Sequence, residues 1–317
     1  MTTKQIFDLA IRLGMKADLR GPAQVKKYLE HTKKKYDKLE AESKGEYDAD
    51  NLTNPYNDSR ILVDNGRREI KKILAGIDIG GGELFLADKL GDVGLVICHH
   101  PIGKALADLS GVMDLQAQVL ADYGVPINIA ESVIKPRISE VGRRVSSANY
   151  NQPVDMARAL GLDLICAHTP CDNLGVSFIN NLLKRKKPEF IGDIVSILKE
   201  IPEYAQAVKY NSGVKIYVGS PDNSCGKIAL TEFCGGTSGA KEMYEKMAQA
   251  GIGTVIGMHM PEEHRAEAEK YHINVIIADH MASDSLGMNL YLDEVEKKGI
   301  KVIPIAGFIR VNRSTKK

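Results

Sequence analysis

The segment that decides the fold is residues 72–101, with the sequence KILAGIDIGGGELFLADKLGDVGLVICHHP. Two short apolar runs, 72–78 and 93–98, flank a segment at 80–90 that starts with three glycines and has the composition of a helix. Short apolar runs joined through a helix are typical of buried parallel strands. The segment therefore predicts a strand–helix–strand unit.

The same alternation continues along the chain. Further strands are predicted at 162–168, 213–219, 227–233, 254–259, 273–279 and 301–306, and helices at 113–123, 132–160, 239–250, 261–271 and 285–298. Such alternation indicates α/β layers around mainly parallel or mixed sheets. The simplest organisation is two α/β lobes at 61–187 and 188–317, preceded by a helical N-terminal extension and linker at 1–60.

Composition restricts the class of protein. The 317 residues include 42 basic and 41 acidic side chains, so the charge of +1 gives no electrostatic reason to bind nucleic acid or an anionic membrane. No apolar run approaches the roughly 20 residues that span a bilayer, and residues 1–10 lack a signal-peptide core. Because the five cysteines lie mostly in apolar contexts, a reducing compartment is favoured, and we expect a cytoplasmic protein.

Residue types that bind metals follow three of the predicted strands. The three segments are His99-His100-Pro101, His168-Thr-Pro-Cys-Asp172 and Asp279-His280-Met-Ala-Ser-Asp284. Ligands of α/β folds bind at the carboxyl ends of strands, so three such ends together predict a metal site. Taken singly, the histidine pair has the alternative of a buried pair satisfied by backbone carbonyls, and Asp172 that of a helix cap.

The ligand types indicate the metal chemistry. Imidazole and carboxylate without an obvious thiolate suit zinc, iron, manganese or nickel. Three histidines and two carboxylates exceed the needs of one tetrahedral ion, so we expect two divalent ions per chain that share a carboxylate. The spacing of His280 and Asp284 places both on one helix face if the helix starts early.

These motifs resemble the NIF-three-like family, also described as GTP cyclohydrolase type-two-like. The resemblance rests on the order and strand-end placement of the three motifs, with Gly287-Met288 after the last, and covers roughly residues 61–310. It implies two α/β lobes with a dinuclear metal centre between them, and assembly as a toroidal homohexamer, which light scattering can test. The metal ligands implied are His99, His100, Asp172, His280 and Asp284.

The sequence departs from the family pattern in three places. Asp284 stands where the family usually has glutamate, and Pro170 and Cys171 replace the usual asparagine and leucine. The first 60 residues are longer and different. Fold and metal centre tolerate these changes, whereas the identity of the substrate is left open.

The function expected is that of a metal-dependent hydrolase for a small molecule, cyclohydrolase-like or phosphoester-directed, acting through metal-bound water. His168 is the candidate for proton transfer, because it lies near the centre but outside the ligand set. Two alternatives are a metal-handling protein without turnover and an oligomeric interaction scaffold. An intact set of ligands argues against the scaffold, which has no need of them.

Weaker signals lie around these motifs. Asp78 is a minor site candidate, and Cys171 is expected to pack in the core. The segment 234–239, CGGTSG, is either a tight strand-to-helix turn or an anion pocket at a helix N-terminus that holds part of the substrate. For His259 and His264, helix capping or surface exposure is expected.

Overall fold

The computed structural model describes residues 1–67 and 69–314. Their strands form two sheets. The first sheet has the order β1-β4-β3-β2-β9, from β1 (Arg60–Val63), β2 (Lys72–Gly76), β3 (Leu95–Cys98), β4 (Asp163–Cys166) and β9 (Lys301–Ile305). The second has the order β5-β8-β7-β6, from β5 (Lys215–Val218), β6 (Lys227–Glu232), β7 (Ile252–Gly257) and β8 (Asn274–Ile277). The edge strands β1 and β5 pair antiparallel and the other pairings are parallel, so the predicted α/β class is confirmed.

Fourteen helices surround the sheets in the described part of the chain. They are α1 (Thr3–Ala17), α2 (Pro22–Asp37), α3 (Ala41–Glu46), α4 (Gly81–Lys89), α5 (Gly103–Ala107), α6 (Asp114–Asp122), α7 (Ile127–Val145), α8 (Gln152–Ala159), α9 (Thr169–Lys186), α10 (Ile191–Lys199), α11 (Pro202–Lys209), α12 (Met243–Gln249), α13 (Glu262–Lys270) and α14 (His280–Glu296). None of them, over the residues described, combines the length and apolar character needed to span a bilayer.

Several helix boundaries differ from the predicted ones. The stretch 132–160 is two helices, α7 and α8, because a polar segment at 146–151 interrupts it. Helix α9 begins before Pro170, which suits a first turn, and α14 begins at His280, because the Asp279 side chain accepts a hydrogen bond from the Ala282 amide (3.0 Å). Both helices therefore start directly at the ends of strands.

The central strands are buried on both faces, which explains their continuous apolar sequence. Leu95 and Ile97 of β3 pack in the same cluster as residues of α1 and α14, whereas Val96 and Cys98 pack with residues of α4 and α8. All four side chains are fully buried. A sheet covered on both faces requires apolar residues at every position rather than at alternate ones.

The last strand does not lie where the predicted lobe boundary put it. That boundary assigned 188–317 to the second lobe, but β9 pairs in parallel with β2, from Lys301 beside Lys72 to Ile305 beside Gly76. Without β9, the backbone N–H and C=O groups of β2 would form an open edge. The chain thus leaves the second sheet after β8, crosses along α14 and completes the first sheet.

Helix α1 is part of the core rather than an appendage. Ile6 is fully buried in the main hydrophobic cluster, and the Tyr291 hydroxyl of α14 donates a hydrogen bond to the Ile6 carbonyl (2.9 Å). On the other face of α1, a Cβ added to Gly14 would lie 2.6 Å from the Pro170 Cα, so α1 and α9 touch at backbone distance. The predicted N-terminal helical segment is present and supports both site-bearing helices.

Helices α9 and α14 also cross at backbone distance. A Cβ added to Gly287 would overlap the Cys171 carbonyl oxygen and lie 2.6 Å from its carbonyl carbon. Only glycine permits such an approach. This crossing fixes the separation of Asp172 on α9 from Asp284 on α14.

Candidate metal centre

The structure brings together all five residues that the motif resemblance implies as metal ligands. His99 and His100 follow β3, and Asp172 lies in the first turn of α9, which follows β4. His280 and Asp284 lie on one face of α14, which follows β8 of the other sheet. The cluster therefore lies between the two sheets, at the carboxyl ends of parallel strands, as predicted.

Asp284 is the centre of the cluster. Its Oδ1 lies 3.4 Å from His99 Nε2, and its Oδ2 lies 3.3 Å from His100 Nε2 and 3.5 Å from His280 Nε2. His99 Nε2 is also 3.2 Å from Asp172 Oδ1. The two oxygens of one carboxylate thus face different histidine nitrogens, Oδ1 that of His99 and Oδ2 those of His100 and His280.

Four buried atoms of this cluster have no hydrogen-bond partner. They are His99 Nε2, Asp172 Oδ1 and both carboxylate oxygens of Asp284. Leaving a buried polar atom unpaired costs about 1–3 kcal/mol, so four of them in one place fit a ligand that all of them can share. Three groups of side chains can each offer ligand atoms that lie within 4.8 Å of one another: His99–Asp172–Asp284, His100–His280–Asp284 and His99–His100–His168. These buried groups can hold a metal ion.

Three histidines are held with one ring nitrogen directed at the cluster. His99 Nδ1 lies 3.2 Å from the Ala167 carbonyl oxygen, and His100 Nδ1 lies 2.7 Å from Asp78 Oδ1. His168 Nδ1 lies 2.9 Å from Asp58 Oδ2. A partner on Nδ1 fixes the tautomer and leaves Nε2 free to bind, as is usual for histidines that ligate metals. Asp78, a weak candidate from the sequence, therefore orients His100.

No local sequence pattern marks Asp58 as a residue of the site. This fully buried carboxylate accepts a hydrogen bond from the Thr169 hydroxyl (2.6 Å), and the neighbouring Ser59 hydroxyl accepts one from the His168 amide (3.0 Å). Asp58 lies in the predicted linker, 110 positions before His168. The predicted linker thus supplies a buried partner of His168.

The charges of the cluster depend on one another. Burial opposes a charge on His99, but the Asp284 and Asp172 carboxylates outweigh it and raise the His99 pKa well above its usual value. Burial likewise disfavours the Asp284 carboxylate, yet His99, His100 and His280 hold its pKa far below the usual range. Burial lowers the pKa of His280. The Asp284 side chain is therefore a buried anion, and it needs positive charge close to it.

Replacing Asp58 with asparagine should lower the free energy of unfolding by about 2 kcal/mol at pH 7, because a buried charged acceptor of three hydrogen bonds is lost. Burial raises the Asp58 pKa, but His168 and the hydroxyl donors outweigh it, so the pKa is lowered in the fold. The stabilisation is then present above the ordinary aspartate pKa and lost as the pH falls through the folded value. Urea unfolding at pH 7 and 3.5 should show the difference between variant and parent shrinking at acid pH. Asp155→Asn, at an exposed ion pair, should change little at either pH.

A cavity of about 230 Å³ lies over the cluster, between the lobes. The first lobe lines it with His100, His168 and Asp172, and the second with Glu232, Thr237, His259 and His280 among others. The exposure or capping expected for His259 is wrong, since its ring lies 4.9 Å from that of His280 and its Nδ1 lies 3.1 Å from the Ser238 hydroxyl. Burial, with His280 nearby, lowers the His259 pKa to about 4.

His264 also differs from its expected exposure, because it is buried against Tyr244, with 5.8 Å between the ring centroids. Cys171 is fully buried among core residues, as expected for packing.

The glycine segment 234–239 is a tight turn and not a helix N-terminus. Gly235 and Gly236 have φ of 88° and 87°, which favour glycine, and α12 begins only at Met243. The Gln116 side chain donates hydrogen bonds to the carbonyl oxygens of Gly235 (2.8 Å) and Thr237 (2.6 Å). Gln116 of the first lobe thus holds the turn in place through these two hydrogen bonds. The anion pocket expected at a helix N-terminus does not form, because no helix begins at this turn.

Comparison with known proteins identifies the fold. No family model and no curated protein sequence matches the chain. A solved structure, the NIF3 superfamily protein from Sphaerobacter thermophilus, is similar with a TM-score of 0.73 and 24% identity, over 97% of this chain and 98% of that chain. The chain has the NIF3 superfamily fold.

The NIF3 fold extends beyond the segment that carries the motifs. Because the Sphaerobacter likeness covers 97% of the chain, it includes most of the N-terminal helical segment as well as residues 61–310. Reduced HcgD from Methanocaldococcus jannaschii is also similar, with a TM-score of 0.51 and 16% identity over 81% of this chain and 91% of that chain. The resemblance inferred from the three metal-binding motifs is confirmed at the level of the NIF3 fold.

Proposed function

We propose that the chain is a metal-dependent hydrolase whose centre holds two divalent ions. The observation that supports this most directly is Asp284, whose two buried and unpaired oxygens face separate sets of histidine nitrogens. His99, Asp172 and Asp284 would hold one ion, and His100, His280 and Asp284 the other. Ions in such a site acidify water and polarise a carbonyl, imine or phosphoryl oxygen.

The chain's own residues supply the rest of the chemistry. His168 lies beside the cluster with its Nε2 3.8 Å from Asp172 Oδ2, and Asp58 holds its other nitrogen. A histidine so fixed can accept a proton from water and return it to solvent. The cavity between the lobes leaves room for a small substrate next to this nitrogen. We therefore assign proton transfer to His168.

Elemental analysis of the purified chain, reloaded in turn with zinc, iron, manganese and nickel, is the first test. We expect about two ions per chain, and their loss in His100→Ala and Asp172→Ala variants that remain folded by circular dichroism. Metal content unchanged in both variants would rule out this centre.

The loaded protein is then screened against phosphoesters, nucleotides and cyclic amides, beside metal-free protein and a His168→Ala variant. Turnover should require metal and fall in the variant by roughly 100-fold or more. Turnover that persists after metal removal would refute the proposal. If fully loaded protein turns over nothing, metal handling without catalysis becomes the better assignment.

A further inference from the structure

His259 is a histidine of the cavity that the proposed centre does not use. It follows β7 of the second sheet, and its ring centroid lies 4.9 Å from that of His280, with the ring planes tilted by 57°. Both rings line the cavity together with those of His100 and His168. Those three histidines already have roles, whereas the three groups of described residues that can hold an ion do not include His259. It therefore borders the centre without a function there.

The two ring nitrogens of His259 face different surroundings. Nδ1 lies 3.1 Å from the hydroxyl of Ser238, which is buried and is not among the residues that line the cavity. Since Nδ1 and Nε2 point away from each other, the part of the ring that borders the cavity includes Nε2. Within residues 1–67 and 69–314, Nε2 has no hydrogen-bond partner, yet it is not one of the buried unpaired atoms. Nε2 is therefore open to a ligand in the cavity.

Ser238 determines which of these nitrogens carries the proton. In the described part of the chain, the His259 ring is the only hydrogen-bond partner of the Ser238 hydroxyl. A buried hydroxyl that donated to nothing would cost about 1–3 kcal/mol, so it donates to Nδ1 of the neutral ring. The proton of that ring then lies on Nε2, and a charged ring carries one there too. Nε2 is thus an N–H donor in either state.

The turn that contains Ser238 is itself held in place by the first lobe. Arg137 of α7 donates a hydrogen bond from Nε to the Ser238 carbonyl oxygen (3.2 Å), and Gln116 of α6 holds two further carbonyl oxygens of the turn. A donor stabilises developing charge best when it is fixed before the reaction, because no reorganisation is then needed. The Nε2–H group of His259 meets this requirement.

Attack by water on a carbonyl or phosphoryl group places negative charge on its oxygen. Over the residues that the structure describes, no lysine or arginine lines the cavity to accompany this charge. We propose that His259 is a catalytic residue whose Nε2–H donates a hydrogen bond to that oxygen of the substrate. This rests on the proposed hydrolase function and names the substrate atom that the second lobe recognises. His168 takes the proton of water from the first lobe, whereas His259 keeps its own proton and forms no covalent bond.

The test compares His259→Leu and His259→Gln with the parent at equal metal content, on the best substrate from the screen of phosphoesters, nucleotides and cyclic amides. Leucine removes the donor, so kcat should fall roughly 100- to 1,000-fold, as for the loss of one such donor elsewhere. KM should change by less than about 3-fold, because the hydrogen bond strengthens only in the transition state. Glutamine offers an amide N–H in place of Nε2–H, so His259→Gln should stay within about 10-fold of the parent. His31→Leu, at an exposed site on α2, is the matched control and should match the parent.

A second readout does not depend on turnover. In zinc-loaded protein labelled with ¹⁵N-histidine, solid-state ¹⁵N spectra should show a ring with its proton on Nε2 and none on Nδ1, and His259→Gln should lack this signal. Ser238→Ala should weaken the preference for that tautomer. A His259 ring with its only proton on Nδ1 would overturn the proposal.

The kinetic outcomes separate this role from others. Equal losses in His259→Leu and His259→Gln, or no loss in either, would overturn the assignment of His259 and leave the hydrolase function intact. A fall in metal content in His259→Leu would make His259 a ligand and would also overturn the assignment. No turnover by the loaded parent would overturn both proposals.

Discussion

Replacing Asp284 with asparagine is expected to abolish metal binding at both positions of the centre. The substitution keeps the shape but removes the negative charge, and one oxygen becomes an NH₂ group that cannot ligate. Because the variant loses the group that faces His99, His100 and His280 together, neither ion keeps its ligand set. Outer partners of metal ligands alone are worth about 10- to 100-fold in affinity, so a shared ligand should be worth more than roughly 100-fold.

Metal content and thermal stability check this expectation. Metal at 100 times its Kd should stabilise the parent by about 2.7 kcal/mol and the Asn variant by nearly nothing. Asp284→Glu introduces the residue that the family resemblance leads us to expect and should keep metal, whereas Asp155→Asn, at an exposed position of α8, should behave as the parent. An Asn variant that retains two ions would exclude Asp284 as the bridge.

Replacing Gly287 with alanine should cost about 3 kcal/mol of stability, even though alanine favours helices by about 1 kcal/mol over glycine. The added methyl group would overlap the Cys171 carbonyl oxygen, which belongs to the backbone of α9 and cannot turn away. The helices must separate instead. Since α9 carries Asp172 and α14 carries Asp284, metal affinity should fall together with stability.

Gly175 provides a matched control at the same crossing. Its added Cβ would lie 3.5 Å from the Gly287 amide nitrogen and the Ser283 carbonyl oxygen, which is ordinary contact. Gly175→Ala should therefore be neutral or stabilising by up to about 1 kcal/mol. Urea unfolding of both variants, with metal titration of the folded proteins, measures the contrast. Similar stabilities for the two would show that the helices adjust at no cost.

The sequence predicted the parts of the fold that local patterns determine. The apolar runs marked eight of the nine described strands to within a few residues and missed β1. His99 and His100 follow β3 and His280 follows β8 of the other sheet, and they meet because the carboxyl ends of strands from both sheets border the cluster. The i, i+4 spacing of His280 and Asp284 placed both on one face, because α14 begins at His280. His259 follows a strand end in the same way, but the sequence Pro261-Glu-Glu after it favoured a helix cap.

Long-range pairings left no local signal. Asp58 contacts His168 in the fold although the two residues are 110 positions apart in the sequence. From the sequence alone it cannot be told from any other acid in a polar linker. The return of β9 to the first sheet depends on which edge is open after the other strands have paired. These features follow from the assembled molecule rather than from any short window of sequence.

The path of α14 has a consequence for how the protein matures. A nascent chain emerges from the ribosome in order, and domains fold as their residues become available. Until β9 has emerged, β2 is an open edge of the first sheet, and until residue 284 has emerged, His99 and His100 lack the carboxylate they share. The proposed centre can therefore capture metal only after α14 has emerged, because its ligands come from both sheets.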